Sequence, residues 1–175
     1  VPAGAVADVV LALHGDDLIA VETGGSAPQL TNLGSAPIAD CPVGDRATVL
    51  ASGADAGAAH RQAVDTWKAL TAVALIGLAQ RALEIGVEYV LERHAFGVLI
   101  AKFQSIQHHL ADDAAALVGG RLLAYEAAWA RDIGAANADE LASMAFLFAA
   151  KTAQKTTGDS LHFHGGYGFT MEYDI

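Results

Sequence analysis

Apolar residues are distributed in two different ways along this chain. Over residues 1–55 they fall in short runs cut by Gly and Pro, and from residue 56 onward they recur every three or four positions. The first texture predicts strands. Residues 7–13 form a β-rich run, Gly15-Asp16-Asp17 is turn chemistry, and residues 18–21 form a second run. Gly24-Gly25-Ser26 ends it. Short runs at Gln29-Leu30 and Cys41-Pro42-Val43 lead to Ala47-Thr48-Val49-Leu50, while Pro28, Pro37 and Pro42 keep helix out. A small antiparallel sheet is the expectation.

The second texture predicts three helices. In the first, residues 58–93, the apolar stripe reads Leu70, Val73, Ala74, Gly77, Leu78, Ala82, Ile85 and Tyr89. It stops at a corner at Phe96-Gly97. The second covers residues 99–133, with Phe103, Ile106, Leu110, Ala114 and Leu117 on its core side and Gly134 as a C-terminal stop. Asn137-Ala138-Asp139-Glu140 opens a third, which runs to about Phe163 and ends at Gly165-Gly166. Long helices on short connections pack antiparallel, so the fold class is mainly α, an up-down antiparallel bundle preceded by a partial β-domain. The organisation expected is residues 1–55 as the β part and 56–175 as the helical part. A four-helix bundle would need one more helix, expected after Ile175.

Composition narrows the function classes. Of 175 residues 53% are hydrophobic and 17% charged, enough apolar mass for a helical core and too few charges for a disordered segment. A formal charge of −10 argues against non-specific nucleic-acid binding. Cys41 is the single cysteine, so no internal disulfide can form and a cytoplasmic setting is expected. No continuous apolar run reaches the ~18 residues of a membrane span; the most apolar stretch, residues 69–79, is flanked by Lys68 and Arg81. The chain opens Val1-Pro2 without Met or a basic signal region and stops abruptly at Ile175, which reads as a processed or partial polypeptide.

The candidate chemistry gathers at the corner. Arg93, Phe96, Gly97 and Gln104 put a fixed cation, an aromatic ring and an amide around one bend, and a guanidinium fork matches phosphate oxygens in two-point contact. Taken alone, Arg93 also reads as a surface arginine pairing with Glu92 or Glu88. Metal is not expected: His162 and His164 stand at i,i+2, His108-His109 are adjacent, and no Glu-x-x-His occurs.

Arg93-x-x-Phe96-Gly97 followed by Gln104, with His164-Gly165-Gly166-Tyr167-Gly168-Phe169-Thr170 downstream, resembles the C-terminal half of an acyl-CoA dehydrogenase. The likeness is good over residues 57–175 and loose over the first 55. It implies a FAD-dependent enzyme that removes two hydrogens from an acyl-CoA thioester: a glutamate takes the α-proton, and the β-hydrogen leaves as hydride to the flavin. By this resemblance Arg93, Phe96, Phe103, Gln104, His162, Gly165 and Gly166 bind the cofactor, often across a subunit boundary, and Asp65 and Lys68 border the acyl-CoA. Ala95 stands where the family often has a hydroxyl residue, and His162 where it usually has Gln. Lys68 reads equally as a solvated lysine beside Asp65.

Trp67 sits where some members carry the catalytic glutamate; the commoner position lies beyond Asp174. Glu84 and Glu88 are at the wrong positions, so the catalytic residue is unassigned. The ending Met171-Glu172-Tyr173-Asp174 is similar to a Trp-Glu-His-Asp type found in actinobacterial members that act on bulky or steroid-side-chain thioesters and can form unlike-subunit tetramers. The partners implied are acyl-CoA, an electron-transfer acceptor, and further subunits in a homo- or hetero-oligomer (dimer or tetramer). Two other readings stay open: a non-catalytic partner subunit of a heteromeric dehydrogenase, and a helical interaction module.

Overall fold

The structure, a computed structural model, describes residues 1–25, 27–32, 34, 36–44, 47–170 and 175. Ser26 and the 171–174 ending used above lie outside them. The chain divides into two compact units, Val1–Val64 and Asp65–Ile175.

In the first unit β1 (Val9–His14), β2 (Asp17–Glu22) and β3 (Ala47–Ser52) form an antiparallel sheet in the order β1-β2-β3. Gly15, at φ +60°, allows the two-residue connection between β1 and β2. Ile19 and Val21 of β2 are buried. The expected run at residues 41–43 forms no strand. Pro42 cannot donate to a ladder, and the Cys41 sulfur instead lies 4.0 Å from the carbonyls of Gly4 and Ala39.

Three helices follow: α1 (Gly53–Glu92), α2 (Gln104–Asp132) and α3 (Ala138–His164). α2 is antiparallel to both others. Arg121 donates to Gln80 Oε1 (3.0 Å), and Arg131 to Thr66 Oγ1 (2.9 Å) and Asp139 (3.2 Å). α1 and α3 therefore run parallel, with Lys68 donating to Ser143 Oγ (3.1 Å) near one end and Ser160 Oγ to the Ala82 carbonyl (2.7 Å) near the other. Between α1 and α2 the expected simple bend is a hairpin, β4 (His94–Ala95) with β5 (Val98–Leu99), and a 3-10 turn at Ile100–Lys102.

The predicted stripe of α1 is out of phase with the core over residues 70–78, while its later members hold: Ala82 is buried and Ile85 and Tyr89 are half-buried. Leu70 is 67% exposed, and Val73 and Leu78 are also exposed, whereas Ala69, Ala72, Ile76, Ala79, Leu83 and Val90 are buried. The seam uses small residues at three- and four-residue spacing because they let the helices approach. Asp113, Leu117, Gly120, Ala124, Ala127 and Ala130 are the buried positions of α2, not Ala114. A Cβ on Gly120 would lie 2.4 Å from Ile76 Cδ1, and one on Gly86 2.5 Å from Ser160 Oγ. Large apolar residues such as Leu70, Leu122 and Trp129 lie on the outside.

The absence of a continuous 18-residue apolar run does not carry over to helix composition. An 18-residue window of α1 reaches a mean hydropathy of 1.5 with 28% of it buried, long and apolar enough to cross a bilayer by composition alone. The buried alanine seam makes this helix the inner wall of the bundle.

Between α2 and α3 lies a polar cluster. Asp113 is 1% exposed; Lys155 Nζ bonds its Oδ1 at 2.6 Å and Asp159 Oδ2 at 2.7 Å, and His109 Nδ1 lies 3.0 Å from the same Asp159 oxygen. Burial pushes the Asp113 carboxyl up against the opposing pull of Lys155. Burial also acts to raise Asp159, but hydrogen bonds from Lys155 and His109 outweigh it and hold this carboxyl below its usual value. Because the folded chain grips the Asp113 proton more tightly than the unfolded chain, this group favours folding most at low pH. That contribution falls as pH rises from the ordinary carboxylate value through the raised one. Asp159 acts oppositely, its contribution being lost as pH falls through its depressed value.

Lys155→Met leaves Asp113 buried without its cation. The expected loss is about 2 kcal/mol at pH 7, below the ~3–5 kcal/mol for a fully buried pair because Lys155 is 46% exposed, and smaller at pH 5 because lowering the pH favours the neutral form of Asp113. Urea unfolding at the two pH values measures both. A second pair of variants tests the seam. Gly86→Ala, which meets a Ser160 already bonded to Ala82, is expected to destabilise by about 1–3 kcal/mol. Gly77→Ala, whose Cβ meets nothing within 4 Å, is expected to stabilise by about 0.5–1 kcal/mol.

Candidate functional site

Arg93 follows the last residue of α1. Its N–H still donates to the Tyr89 carbonyl (2.9 Å) and its own carbonyl accepts from Ile100 (2.9 Å), so its backbone is held on both sides. The hairpin turns on Phe96 (φ +53°) and Gly97 (φ +80°), positive at both central positions as a tight hairpin demands. Glycine adopts this freely. A phenylalanine there costs of order 1–3 kcal/mol, and Phe96 is also 96% exposed, so intramolecular burial does not offset that strain. Its ring meets Phe103 edge to face at 6.2 Å. Gln104 follows as the first residue of α2, exposed to solvent.

The glycine turn begins where α3 ends. Gly165 (φ +59°, ψ −132°) breaks the helix, and a short 3-10 turn, Gly165–Phe169, folds back tightly. A Cβ on Gly168 would sit 2.8 Å from the Leu161 carbonyl. Two contacts tie this turn to α1. The His164 ring is buried, with Nδ1 2.7 Å from the Ser160 carbonyl, and stacks on Tyr89 at 4.0 Å and 25°. The Arg93 guanidinium lies over the Tyr167 ring, 5.5 Å from its centroid.

Arg93 and the glycine turn thus share a cavity of about 420 Å³ whose lining includes Tyr89, His164, Gly165, Gly166 and Thr170. A smaller, more polar cavity of about 320 Å³ lies against Tyr89, Glu92, Arg93 and Tyr167. A Cβ on Gly165 or Gly166 would meet nothing within 4 Å. Gly166 has neither a positive φ nor a close neighbour, so its missing side chain leaves open backbone for a ligand to approach. The site suits an anion with a flat ring attached: it offers a guanidinium, a side-chain-free stretch of backbone and aromatic faces.

The expected cofactor residues fall into groups. Arg93, Gly165 and Gly166 are brought together in one cavity. Phe96, Phe103 and Gln104 cluster on the hairpin and the start of α2 and do not line it. His162 is exposed one turn before the glycines and does not line it either. The glycine turn beside Arg93 belongs to the same chain. Arg93 does not pair with Glu88, which together with Glu84 faces Arg81 (3.7 and 3.3 Å).

Asp65 and Lys68 are elsewhere. Lys68 Nζ is 2.8 Å from Asp65 Oδ1 and also bonds Ser143, while Trp67 packs on Phe146 with ring centroids 5.3 Å apart. At 1.5 Å per residue, Lys68 and Arg93 are separated by about 37 Å of helix. Sequence reasoning missed Tyr89 and Tyr167. Tyr89 looked like a core residue and Tyr167 like part of a turn; the signal available was that Tyr89 lies one helical turn before Arg93.

Residues 51–175 match the C-terminal domain of the acyl-CoA dehydrogenases. A 3-(aryl)acrylate reductase of Clostridium sporogenes is 44% identical over 100 residues, 57% of this chain and 26% of that protein. A (2S)-methylsuccinyl-CoA dehydrogenase of Cereibacter sphaeroides is 37% identical over 122 residues, 68% of this chain and 22% of that protein. Among solved structures, butyryl-CoA dehydrogenase from Megasphaera elsdenii aligns with a TM-score of 0.75 at 26% identity, over 94% of this chain and 47% of that one. The chain thus spans about a quarter of the length of these curated relatives. On the match of its helical part, with the arginine corner and the glycine turn side by side, the chain belongs to the acyl-CoA dehydrogenase family, of which residues 51–175 are the C-terminal domain.

Proposed function

We propose that this chain works as a subunit, or the C-terminal part of a subunit, of a FAD-dependent acyl-CoA dehydrogenase. The observation that carries the reading is Arg93 held beside an open glycine backbone at the edge of a cavity. In this reading Arg93 grips the diphosphate of the dinucleotide by two-point hydrogen bonding, and Gly165 and Gly166 let it approach the backbone. Phe96 and Phe103 offer ring faces, and Gln104 and His162 offer donors toward the same cofactor. Asp65 and Lys68, at the other end of α1, border the acyl-CoA thioester. When bound, FAD supplies the hydride acceptor for α,β-dehydrogenation.

Cofactor contacts and substrate contacts some 37 Å apart on one helix favour an oligomer in which each end of α1 serves a different site. The setting proposed is cytoplasmic, supported by the single cysteine, with an electron-transfer protein as acceptor.

Titration of the purified chain with FAD is expected to show saturable uptake and flavin absorbance. Arg93→Ala is expected to weaken it about 10- to 100-fold, the loss of a charge-assisted pair worth about 1.5–3 kcal/mol. No uptake by the wild type contradicts the reading.

A second reading, a non-catalytic partner subunit, is favoured by Trp67, which packs on Phe146 where some relatives hold the base. FAD uptake without reduction of a dye acceptor by a panel of acyl-CoA thioesters supports the partner; dye reduction supports the enzyme.

A further inference from the structure

We infer that Tyr167 is a positioning residue whose ring face holds the Arg93 guanidinium in the orientation that grips a diphosphate. The inference rests on the flavin reading above. A free arginine side chain loses rotamer freedom when a ligand orders it. Two kinds of neighbour could order it beforehand, and they differ in what they leave for the ligand.

A carboxylate would occupy the N–H fork itself. Among the described residues none lies within ion-pair distance of Arg93: Glu88 is engaged by Arg81, and Glu92 forms no pair with the guanidinium. An aromatic ring instead takes the flat face of the cation. At 5.5 Å from the ring centroid the Arg93–Tyr167 contact is within the ~6 Å range of a cation–π interaction. The guanidinium's donors lie in its plane, at the edge, so a face contact leaves them available to phosphate oxygens.

The backbone that carries the ring is held in place. The Tyr167 carbonyl accepts from both the N–H (3.0 Å) and the hydroxyl (2.9 Å) of Thr170, which closes the turn behind it. At the base of the turn the His164 ring stacks on Tyr89, one turn before Arg93. Contacts with aromatic rings thus join the end of α1 to the end of α3 at the arginine and one turn before it, and Tyr167 lines both cavities described above.

The test compares Tyr167→Phe and Tyr167→Leu in the full chain by FAD titration, followed by flavin absorbance and tyrosine–tryptophan quenching, with thermal melts of each apo protein. Tyr167→Phe keeps the ring and is expected to bind within twofold of wild type. Tyr167→Leu is expected to bind about three- to fivefold more weakly, the size of a partly exposed cation–π contact. In an Arg93→Ala background Tyr167→Leu is expected to cause no further loss, because the two residues act through one contact. Equal affinity of Tyr167→Leu and wild type, equal losses for Phe and Leu, or additive losses with Arg93→Ala would each overturn the assignment while leaving the flavin reading intact. A wild-type chain that takes up no FAD sinks the flavin reading and this inference with it, a result distinct from the other three.

Discussion

The contact between Gly86 and Ser160 sets the register on which the site depends. A Cβ at Gly86 would come within 2.5 Å of the Ser160 hydroxyl, and that hydroxyl is committed to the Ala82 carbonyl, so α1 and α3 meet here at backbone distance. The two helices run parallel. Three and four residues further on, Tyr89 meets His164; seven residues further on, Arg93 meets Tyr167. Two motifs more than seventy residues apart in sequence become neighbours because one glycine lets two helices touch at that level. A bulkier residue would have to push α3 outward, and the arginine would lose its ring.

The bundle divides its apolar residues by size. Alanines and glycines make up much of the seam beside a few large residues such as Ile76 and Leu117, while others such as Leu122 and Trp129 face outward. The cluster between α2 and α3 puts charge inside. Asp113 is buried with Lys155 donating to Oδ1, and its Oδ2 is buried with no hydrogen-bond partner. Breaking such a pair by removing one partner costs more than the intact pair contributes, because the remaining charge is left buried. The strain of Phe96 belongs with the candidate site, since burial of its ring does not offset its positive φ.

Much of this was legible from residue order alone. Helix number, the strand–turn–strand at the start and the ends of α3 follow from periodicity and turn chemistry; family likeness singled out Arg93 and the glycine turn but as neighbours across a subunit boundary, whereas here they lie side by side in one chain. The phase of α1 was not, because Ala and Leu both count as apolar while only helix-to-helix distance decides which is inside. Leu70 and Ala69 are adjacent, and nothing local ranks them. The hairpin after Arg93 was hidden for a different reason: Phe-Gly is not the usual pair for a turn with two positive φ angles. Tyr167 escaped because its partner is fixed by the α1–α3 register, a tertiary property.

The central claim is that Arg93 and the glycine turn form one clamp for the diphosphate and adenine side of a dinucleotide. Competition binding among FAD, ADP and riboflavin tests it most directly. The account predicts that ADP displaces FAD while riboflavin, which has no phosphate, does not. Displacement by riboflavin with no effect of ADP would contradict it.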